Sequence, residues 1–218
     1  KEFFISDSNS LWHGTSLYDL YRAAHTPWEW HQPIFERARQ QGLIAFSTPF
    51  DASAVDFLET LDIPAYKIAS FENIDLPLIS KAAATGKPLI ISTGMATLAE
   101  IEAAVRTARA SGCRDLVLLK CTSNYPADPQ SSNLLTIPRL QELFNCHVGL
   151  SDHTLGIGAS VASVALGASV IPIWLAGAAG FARADAVVTL LTGWTAIPVT
   201  VAVCAAPYFM RGLRWRTS

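Results

Sequence analysis

Five short apolar runs in this chain each end in a cluster of hydroxyl, amide or charged residues. The runs cover residues 43–46, 65–69, 88–91, 116–119 and 148–150. Between them lie stretches with the 3.6-residue periodicity of amphipathic helices. Strands that alternate with helices and carry polar residues at their C-terminal ends are typical of a (β/α) barrel, whose site is assembled from those strand ends. The pattern therefore predicts an α/β enzyme.

Capping residues and glycines predict where the helices begin and end. The clearest is Leu98–Ala110, where Thr97 and Glu100 form a capping box and Gly112 follows the last turn. Its predicted buried stripe is Ile101, Ala104, Val105 and Ala108. The other predicted helices cover residues 16–24, 33–41, a segment after Asp51, 76–85, 137–144 and 156–166. The helix after Asp51 is predicted to bury Ala54, Phe57, Leu58 and Leu61.

The composition narrows the class of partner. The chain has 218 residues, a net charge of −2 and no Lys/Arg stripe interleaved with aromatics, which argues against a nucleic-acid partner. Its four cysteines show neither CxxC spacing nor the density of a disulfide framework, so we expect a reduced, cytoplasmic setting. The chain is short for an eight-stranded barrel, which usually needs about 250 residues.

The composition changes after Ile171. The segment 186–210 carries no charge and precedes a cluster of arginines, so its length and flank would suit a transmembrane helix. Gly193, Pro198 and Pro207 lower its helical and apolar character, and they favour a buried helix-and-strand closing element over a membrane span. A third interpretation is that the tail is not the natural continuation of the chain.

Lys67 lies inside an apolar predicted strand. A buried ammonium requires a partner, because desolvating it alone costs several kcal/mol. One interpretation is a structural ion pair. The other is an anion clamp at the mouth of the barrel, which is favoured because Ser70 and Glu72 follow at the strand end.

His153 follows Ser151 and Asp152 at another strand end. It is a candidate metal ligand or general acid/base, or else a hydrogen-bonded loop histidine, and its acidic neighbour favours a metal or catalytic role. Hydroxyls and amides at the other strand ends are individually weak signals, but together they could line a pocket for a phosphate or carboxylate. These residues are Thr48, Ser92, Thr93, Thr122, Ser123 and Asn124.

Several of these segments resemble the sialic acid synthase family, which condenses phosphoenolpyruvate with a six-carbon amino sugar to give nonulosonic acids. The similar segments are 42–51, 65–73, 92–96, 120–126 and 149–154. Residues 11–31 and 67–72 look specifically like the pseudaminic acid synthase branch of that family. The resemblance covers about residues 3–171. It implies a (β/α)8 TIM barrel.

The resemblance also implies a mechanism and a set of site residues. Carbon 3 of phosphoenolpyruvate would attack the open-chain aldehyde of the sugar, polarised by Mn²⁺ or Mg²⁺. The expected phosphoenolpyruvate-binding residues are Thr48, Lys67, Ser70, Ser123 and Ser151. Glu72 matches a sugar-contacting carboxylate and His153 a metal ligand, and with Lys67 they form the expected catalytic set.

The chain departs from the family pattern in ways that predict an incomplete barrel. The family's first two strands have no counterpart, and Trp174 stands where the eighth strand would carry the second metal-ligating histidine. We therefore expect a partial barrel domain over residues 1–171 and an atypical, possibly frameshifted tail over 172–218. The family's C-terminal antifreeze-like domain is expected to be absent. Because the family homodimer relies on that domain, dimerisation does not carry over.

The resulting prediction is an enzyme of pseudaminic acid synthesis acting on small-molecule substrates, phosphoenolpyruvate and a 2,4-diacetamido-trideoxyhexose. One imidazole is a poor anchor for Mn²⁺, so little or no turnover is expected of this chain alone. Two alternatives stay open: an N-acetylneuraminate synthase, and a non-catalytic remnant of the family that binds phosphoenolpyruvate weakly.

Overall fold

The computed structural model describes residues 3–6, 8, 12–124, 126–172, 186–189 and 200–203. The described residues before Phe35 form one unit and those from Phe35 onward form a second. In the first unit, helix α1 (Leu17–Ala24) begins at Ser16, whose hydroxyl oxygen accepts the N–H of Asp19, and a 3₁₀ turn covers Trp28–Trp30. Helix α2 (His31–Gln40) contains the boundary between the units.

A four-stranded parallel sheet forms the centre of the second unit. Its strands are β1 (Tyr66–Ile68), β2 (Leu89–Ser92), β3 (Leu116–Cys121) and β4 (His147–Ser151). They lie side by side in chain order, and each pair of neighbours is parallel. A consecutive order is that of a (β/α) barrel, whereas the order of a doubly wound sheet reverses at its switch point.

The predicted strand at residues 43–46 is wrong, because the structure forms no regular strand there. The following residue, Ser47, makes a single parallel bridge to Tyr66, and its carbonyl oxygen accepts the N–H of Lys67 at 3.4 Å. One bridge does not make a ladder, so this segment flanks β1 as extended chain. It still brings the polar residues after it to the edge of the sheet.

At the other edge of the sheet, a chain segment after Gly167 runs alongside β4. The N–H of Leu150 donates to the carbonyl oxygen of Val170 at 2.9 Å, and that of Asp152 donates to Pro172 at 2.9 Å. A Cβ atom at Gly149 would lie 1.9 Å from the Val170 oxygen, so the approach of this segment requires glycine at that position. The parallel arrangement therefore continues beyond β4.

Helices cover one face of the sheet, and the core lies between these helices and the sheet. Their bounds are α3 (Ala52–Glu59), α4 (Leu76–Ala83), α5 (Leu98–Ala110), α6 (Thr136–Phe144) and α7 (Gly158–Ala165). The strands contribute Ile68, Ile91, Leu118 and Val148, all at most 1% exposed. Burying each such aliphatic side chain contributes roughly 1.5–3 kcal/mol.

The predicted helix faces are confirmed for α5 and only partly for α3. Both halves of the capping box form in α5, and all four residues of its predicted stripe are buried. In α3 the buried residues are Val55 and Leu58, whereas Ala54 and Phe57 are partly exposed. The helix ends at Glu59, so Leu61 lies beyond it and does not extend the stripe.

The described part of segment 186–210 consists of two short strands, β5 (Ala186–Thr189) and β6 (Thr200–Val203), which pair antiparallel. The transmembrane helix, which the sequence disfavoured, does not form over these residues. Throughout the described parts of the chain, no helix has both the length and the apolar character needed to cross a bilayer. Trp174 and the other tail residues, apart from 172, 186–189 and 200–203, lie outside the described residues.

Candidate functional site

Ser70 and Ser123, which follow different strands, are brought together around Gly94. A Cβ atom at Gly94 would lie 2.4 Å from the Ser70 Cβ and 3.1 Å from the Ser123 Oγ. Gly94 also has a φ of +44°, a conformation that side-chain-bearing residues rarely adopt. The missing side chain thus lets the ends of β1, β2 and β3 present hydroxyl groups to one small region.

The imidazole of His153 is held between two neighbours. Its Nδ1 lies 2.9 Å from the carbonyl oxygen of Thr122, and its Nε2 lies 3.3 Å from the Ser151 Oγ. A carbonyl oxygen only accepts, so Nδ1 carries the proton and donates it to Thr122. In the neutral ring, Nε2 is then the acceptor and receives the Ser151 hydroxyl proton.

His153 is buried, and this favours its uncharged form. Burial is the largest cause that lowers the pKa of His153, and the positive charge of Lys67 acts in the same direction. The Thr122 carbonyl and the Asp152 carboxylate oppose the shift without reversing it. A neutral imidazole whose Nε2 carries the lone pair can accept a proton or bind a cation in place of the Ser151 hydroxyl.

Lys67 lies on the face of β1 opposite to Tyr66, whose hydroxyl donates to Val55 and Glu59 of α3. The Lys67 side chain is half-buried, and within the described residues its ammonium forms no ion pair. Its charge nevertheless acts on both Glu72 and His153. The described residues therefore give no support to the structural ion pair.

Glu72 presents a buried carboxylate oxygen without a hydrogen-bond partner. The atom is Oε2, and it is one of three such side-chain atoms in the described part of the chain. Burial is the largest cause that raises the pKa of Glu72, and the Lys67 charge opposes it. A buried oxygen without a donor is costly, so this position is suited to a ligand hydroxyl.

The remaining predicted residues lie at the flanks of the site. Ser151 ends β4 opposite Cys121 of β3 and is 6% exposed. Thr48 is partly exposed and lies one residue after the bridge between Ser47 and Tyr66. The structure thus places Ser151 with His153, whereas Thr48 is placed only at the sheet edge beside β1.

The surroundings of Ser92, at the end of β2, and of Asn73, in the loop after β1, could not be predicted from sequence patterns. The Ser92 hydroxyl oxygen is buried without a partner, and the Ser92 side chain is 1% exposed. The buried amide of Asn73 donates to the carbonyl oxygens of Ser92 at 3.1 Å and Thr93 at 2.8 Å. Asn73 thereby fixes the loop after β1 to the end of β2, a role for which a loop amide gives no sequence signal.

The fit to a divalent metal is incomplete in the described residues. The Nε2 atom of His153 suits a ligand, but no group of three or more His, Cys, Asp or Glu residues surrounds a common point in this part of the chain. The neighbouring Asp152 carboxylate accepts the Thr154 N–H at 2.9 Å and the Ser160 hydroxyl at 2.5 Å, so it serves the loop. Trp174, where the resemblance predicts a second ligand, is not among the described positions.

Comparisons with known proteins point to one family. The NeuB family profile matches residues 1–190. The pseudaminic acid synthase of Helicobacter pylori is 48% identical over 162 residues, which cover 74% of this chain and 48% of that protein. The pseudaminic acid synthase of Campylobacter jejuni serotype O:2 is 47% identical over 171 residues, covering 78% and 50%. The chain spans about half the length of the curated relatives it matches.

Solved structures agree with these sequence matches. An N-acetylneuraminic acid synthetase from Leptospira borgpetersenii superposes with a TM-score of 0.69 and 30% identity, covering 73% of this chain and 56% of that one. The spore coat polysaccharide biosynthesis protein SpsE of Bacillus subtilis gives 0.66 and 35%, covering 73% and 45%. The fold is therefore α/β with a parallel sheet, and the solved structures similar to it are TIM-barrel-like. By sequence profile, identity and fold, the chain belongs to the NeuB family.

Proposed function

We propose that this chain carries the phosphoenolpyruvate-binding part of a pseudaminic acid synthase. The reaction would join phosphoenolpyruvate to a 2,4-diacetamido-trideoxyhexose and yield pseudaminic acid and phosphate. The pseudaminic acid synthases of two bacteria, each close to half identical to the matched segment, support this substrate pair. The observation that carries the proposal is the Lys67 ammonium, which has no ion pair among the described residues and acts electrostatically on Glu72 and His153.

In this proposal the strand ends bind the dianionic phosphoenolpyruvate. Lys67 supplies a positive charge, and the hydroxyls of Ser70, Ser123 and Ser151 supply donors, with Thr48 at the edge. Charge-assisted hydrogen bonds of this kind are roughly twice as strong as neutral ones. The closeness of Ser70 and Ser123 around Gly94 supports a shared anionic ligand.

The sugar would lie on the Glu72 side of the site. There the unpartnered Glu72 Oε2 would accept a hydrogen bond from a sugar hydroxyl and orient the aldehyde toward carbon 3 of phosphoenolpyruvate. A bond then forms between carbon 3 and the aldehyde carbon, whose oxygen takes a proton. Water adds at carbon 2, the bond from carbon 2 to the phosphate oxygen breaks, and phosphate leaves.

Among the described residues, His153 would bind a divalent cation, Mn²⁺ or Mg²⁺. The bound cation would supply Lewis-acid polarisation of the aldehyde. The donor hydrogen bond from Nδ1 to Thr122 supports this role, because it leaves the Nε2 lone pair on the opposite side of the ring. The rest of the ligand set is not supplied by the described residues.

An N-acetylneuraminate synthase is the second candidate. Other matched relatives include an N,N'-diacetyllegionaminic acid synthase at 42% identity and an N-acetylneuraminate-9-phosphate synthase at 40%. The two candidates share phosphoenolpyruvate and differ in the sugar. Ser123, which stands where other synthases of the family carry asparagine, favours the pseudaminic branch.

Phosphate release from phosphoenolpyruvate, measured with each sugar separately, tests the proposal. We expect any release to require the 2,4-diacetamido-trideoxyhexose and to stay at background with N-acetylmannosamine. Release with N-acetylmannosamine alone would favour the second candidate. Because the unmodified chain is expected to turn over little or not at all, the assay is run on Trp174→His as well, and saturable phosphoenolpyruvate binding without turnover on either sugar in both proteins would identify the chain as a non-catalytic binding remnant.

A further inference from the structure

Lys120 lies on the face of the sheet opposite to Lys67. Lys67 pairs with Ile90, and Ile90 pairs with Val117, so these three residues share a face. Successive residues of a strand alternate between faces, and Lys120 comes three positions after Val117. It therefore shares the helix-covered face with Leu118, and it does not belong to the proposed phosphoenolpyruvate wall.

The ammonium of Lys120 is buried without a counterion among the described residues. The side chain is 8% exposed, and its Nζ donates to the Thr122 Oγ1 at 2.7 Å and the Cys121 carbonyl oxygen at 3.2 Å. Both acceptors are uncharged, and the third N–H of the ammonium has no acceptor in this part of the chain. Burial lowers the pKa of Lys120, as expected for a desolvated cation.

A cavity of about 610 Å³ adjoins Lys120. Its walls come from the loop between β2 and α5, the end of β3 and the segment that leads into α6. They combine polar groups of Gln130, Asn133 and Thr136 with apolar surface from Ile101 and Leu135, and none of the described lining residues is acidic. The volume lies within the range of about 300–1,000 Å³ that is usual for small-molecule sites.

We propose that this cavity is a second anion-binding subsite, in which Lys120 binds the phosphate or carboxylate group of a small molecule. A buried cation with only neutral partners is energetically costly, and an anionic ligand removes that cost by supplying the missing charge and the third acceptor. The amide and hydroxyl groups of the wall add donors for the ligand, and the aliphatic side chains fit its carbon skeleton. The subsite does not depend on the proposed synthase activity.

Thr122 and Gly94 place this subsite beside the strand-end site. The Thr122 hydroxyl oxygen accepts a hydrogen bond from the Lys120 ammonium, and the Thr122 carbonyl oxygen accepts one from Nδ1 of His153. Gly94 lines the cavity and also separates Ser70 from Ser123. An anion on Lys120 would therefore lie next to the phosphoenolpyruvate wall while contacting a different cation.

Calorimetric titration of inorganic phosphate, and separately of pyruvate, into the 218-residue chain at constant ionic strength tests the subsite. Lys120→Met should weaken binding of the favoured anion by at least about tenfold. Lys67→Met should leave the binding that depends on Lys120 in place. Lys81→Met, which removes an exposed ion pair with Asp56, should leave all anion binding unchanged. Response to phosphate alone or to pyruvate alone identifies which anionic group the subsite takes. Unchanged binding in Lys120→Met would overturn the proposal.

A measurement on the unmutated chain covers the case in which Lys120→Met does not fold. Limited acetylation followed by mass spectrometry reports how accessible each lysine is to reagent. Millimolar phosphate or pyruvate should slow acetylation of Lys120 while leaving Lys81 unaffected, and Lys120→Arg should retain binding of the anion. Equal acetylation of Lys120 with and without both anions would show that the lysine only supports Thr122, which contradicts the subsite.

Discussion

The Nδ1 atom of His153 lies 2.9 Å from the carbonyl oxygen of Thr122, and this contact fixes the tautomer of the ring. The proton resides on Nδ1, so Nε2 faces Ser151 with its lone pair. The Thr122 hydroxyl meanwhile accepts the Lys120 ammonium at 2.7 Å. One threonine therefore contacts both a buried imidazole and a buried cation.

The neutral state of His153 predicts a loss of stability in acid. Because the folded-state pKa is lowered, the stability contribution is present above the ordinary histidine pKa and is lost as pH falls from about 6.5 through the lower folded value. His153→Asn keeps an N–H donor for Thr122 without a titrating ring. Urea unfolding over this pH range should show a smaller loss for the variant than for the parent chain.

An unchanged pH profile in His153→Asn would refute the buried neutral imidazole. A ¹⁵N spectrum of the His153 ring with the proton on Nε2 would equally contradict the tautomer.

Gly94→Ala should damage both stability and ligand binding. The added Cβ would lie 2.4 Å from the Ser70 Cβ, and the residue would also keep a φ of +44°. We expect a loss of about 2–4 kcal/mol in the free energy of unfolding, together with weaker phosphoenolpyruvate binding. Gly86→Ala is the matched control, since Gly86 has a φ of +75° and no atom near its Cβ position.

For Gly86→Ala the strain of the backbone alone should cost about 1–2 kcal/mol, with phosphoenolpyruvate binding unchanged. Equal losses of stability in the two alanine variants would mean that the contact with Ser70 adds nothing. If Gly94→Ala kept its affinity for phosphoenolpyruvate, Ser70 and Ser123 would not be part of the site that binds it.

Glu72→Gln should become more stable than the parent chain as pH rises. A raised folded-state pKa means that stability is complete below the ordinary glutamate pKa and is lost as pH rises through the folded value. The variant has no such loss, so the two proteins should unfold alike near pH 4 and diverge toward neutrality. Denaturant unfolding at a series of pH values measures the difference.

Glu59→Gln should behave in the opposite way. Burial acts to raise the pKa of Glu59, but hydrogen bonds from Lys87 and Tyr66, both at 2.7 Å, outweigh it and the pKa is lowered. Removing this carboxylate should therefore destabilise the protein at neutral pH. The same sign of change for Glu72→Gln and Glu59→Gln would contradict the assignment of a buried, unpartnered Oε2 atom to Glu72.

Sequence patterns predicted the features of the fold that depend on local chemistry. The capping box of Thr97 and Glu100 predicted the start of α5, and the helical spacing of its apolar residues predicted the buried face. The strand predicted at residues 43–46 failed because an apolar run becomes a strand only if neighbours pair with it, and only Ser47 finds such a pair. The predicted buried face of α3 was wrong by one position for a related reason, because packing against the rest of the protein buries Val55 and leaves Ala54 partly exposed.

The site could be predicted as a set of residue types but not as a geometry. Lys67, Ser70 and Glu72 were recognisable because charged and hydroxyl residues end an apolar strand. The amide of Asn73 acts through hydrogen bonds from the loop after β1 to the end of β2, and sequence spacing does not encode such a contact. The burial of the Ser92 hydroxyl without a partner also depends on packing between separate segments. Lys120 resembles any strand lysine until its burial and its uncharged partners are known.

Trp174→His tests whether the second metal ligand limits turnover. The family resemblance predicts histidine at this position, and one imidazole is a poor anchor for Mn²⁺. We expect little or no phosphate release from the unmodified chain with phosphoenolpyruvate and the 2,4-diacetamido-trideoxyhexose. Trp174→His should raise the release in a manner that a chelator abolishes, and Trp174→Phe should not. Metal-dependent turnover by the unmodified chain would contradict this prediction.

Titration calorimetry of phosphoenolpyruvate into the parent chain, Lys67→Met and Lys81→Met measures whether the strand ends around Lys67 bind this dianion. Lys81 is the control, because it is a lysine of the same unit that pairs with Asp56 on the surface. We predict saturable binding to the parent, a loss of at least about tenfold in Lys67→Met and no change in Lys81→Met. Equal affinity in the parent and Lys67→Met would show that Lys67 does not bind phosphoenolpyruvate.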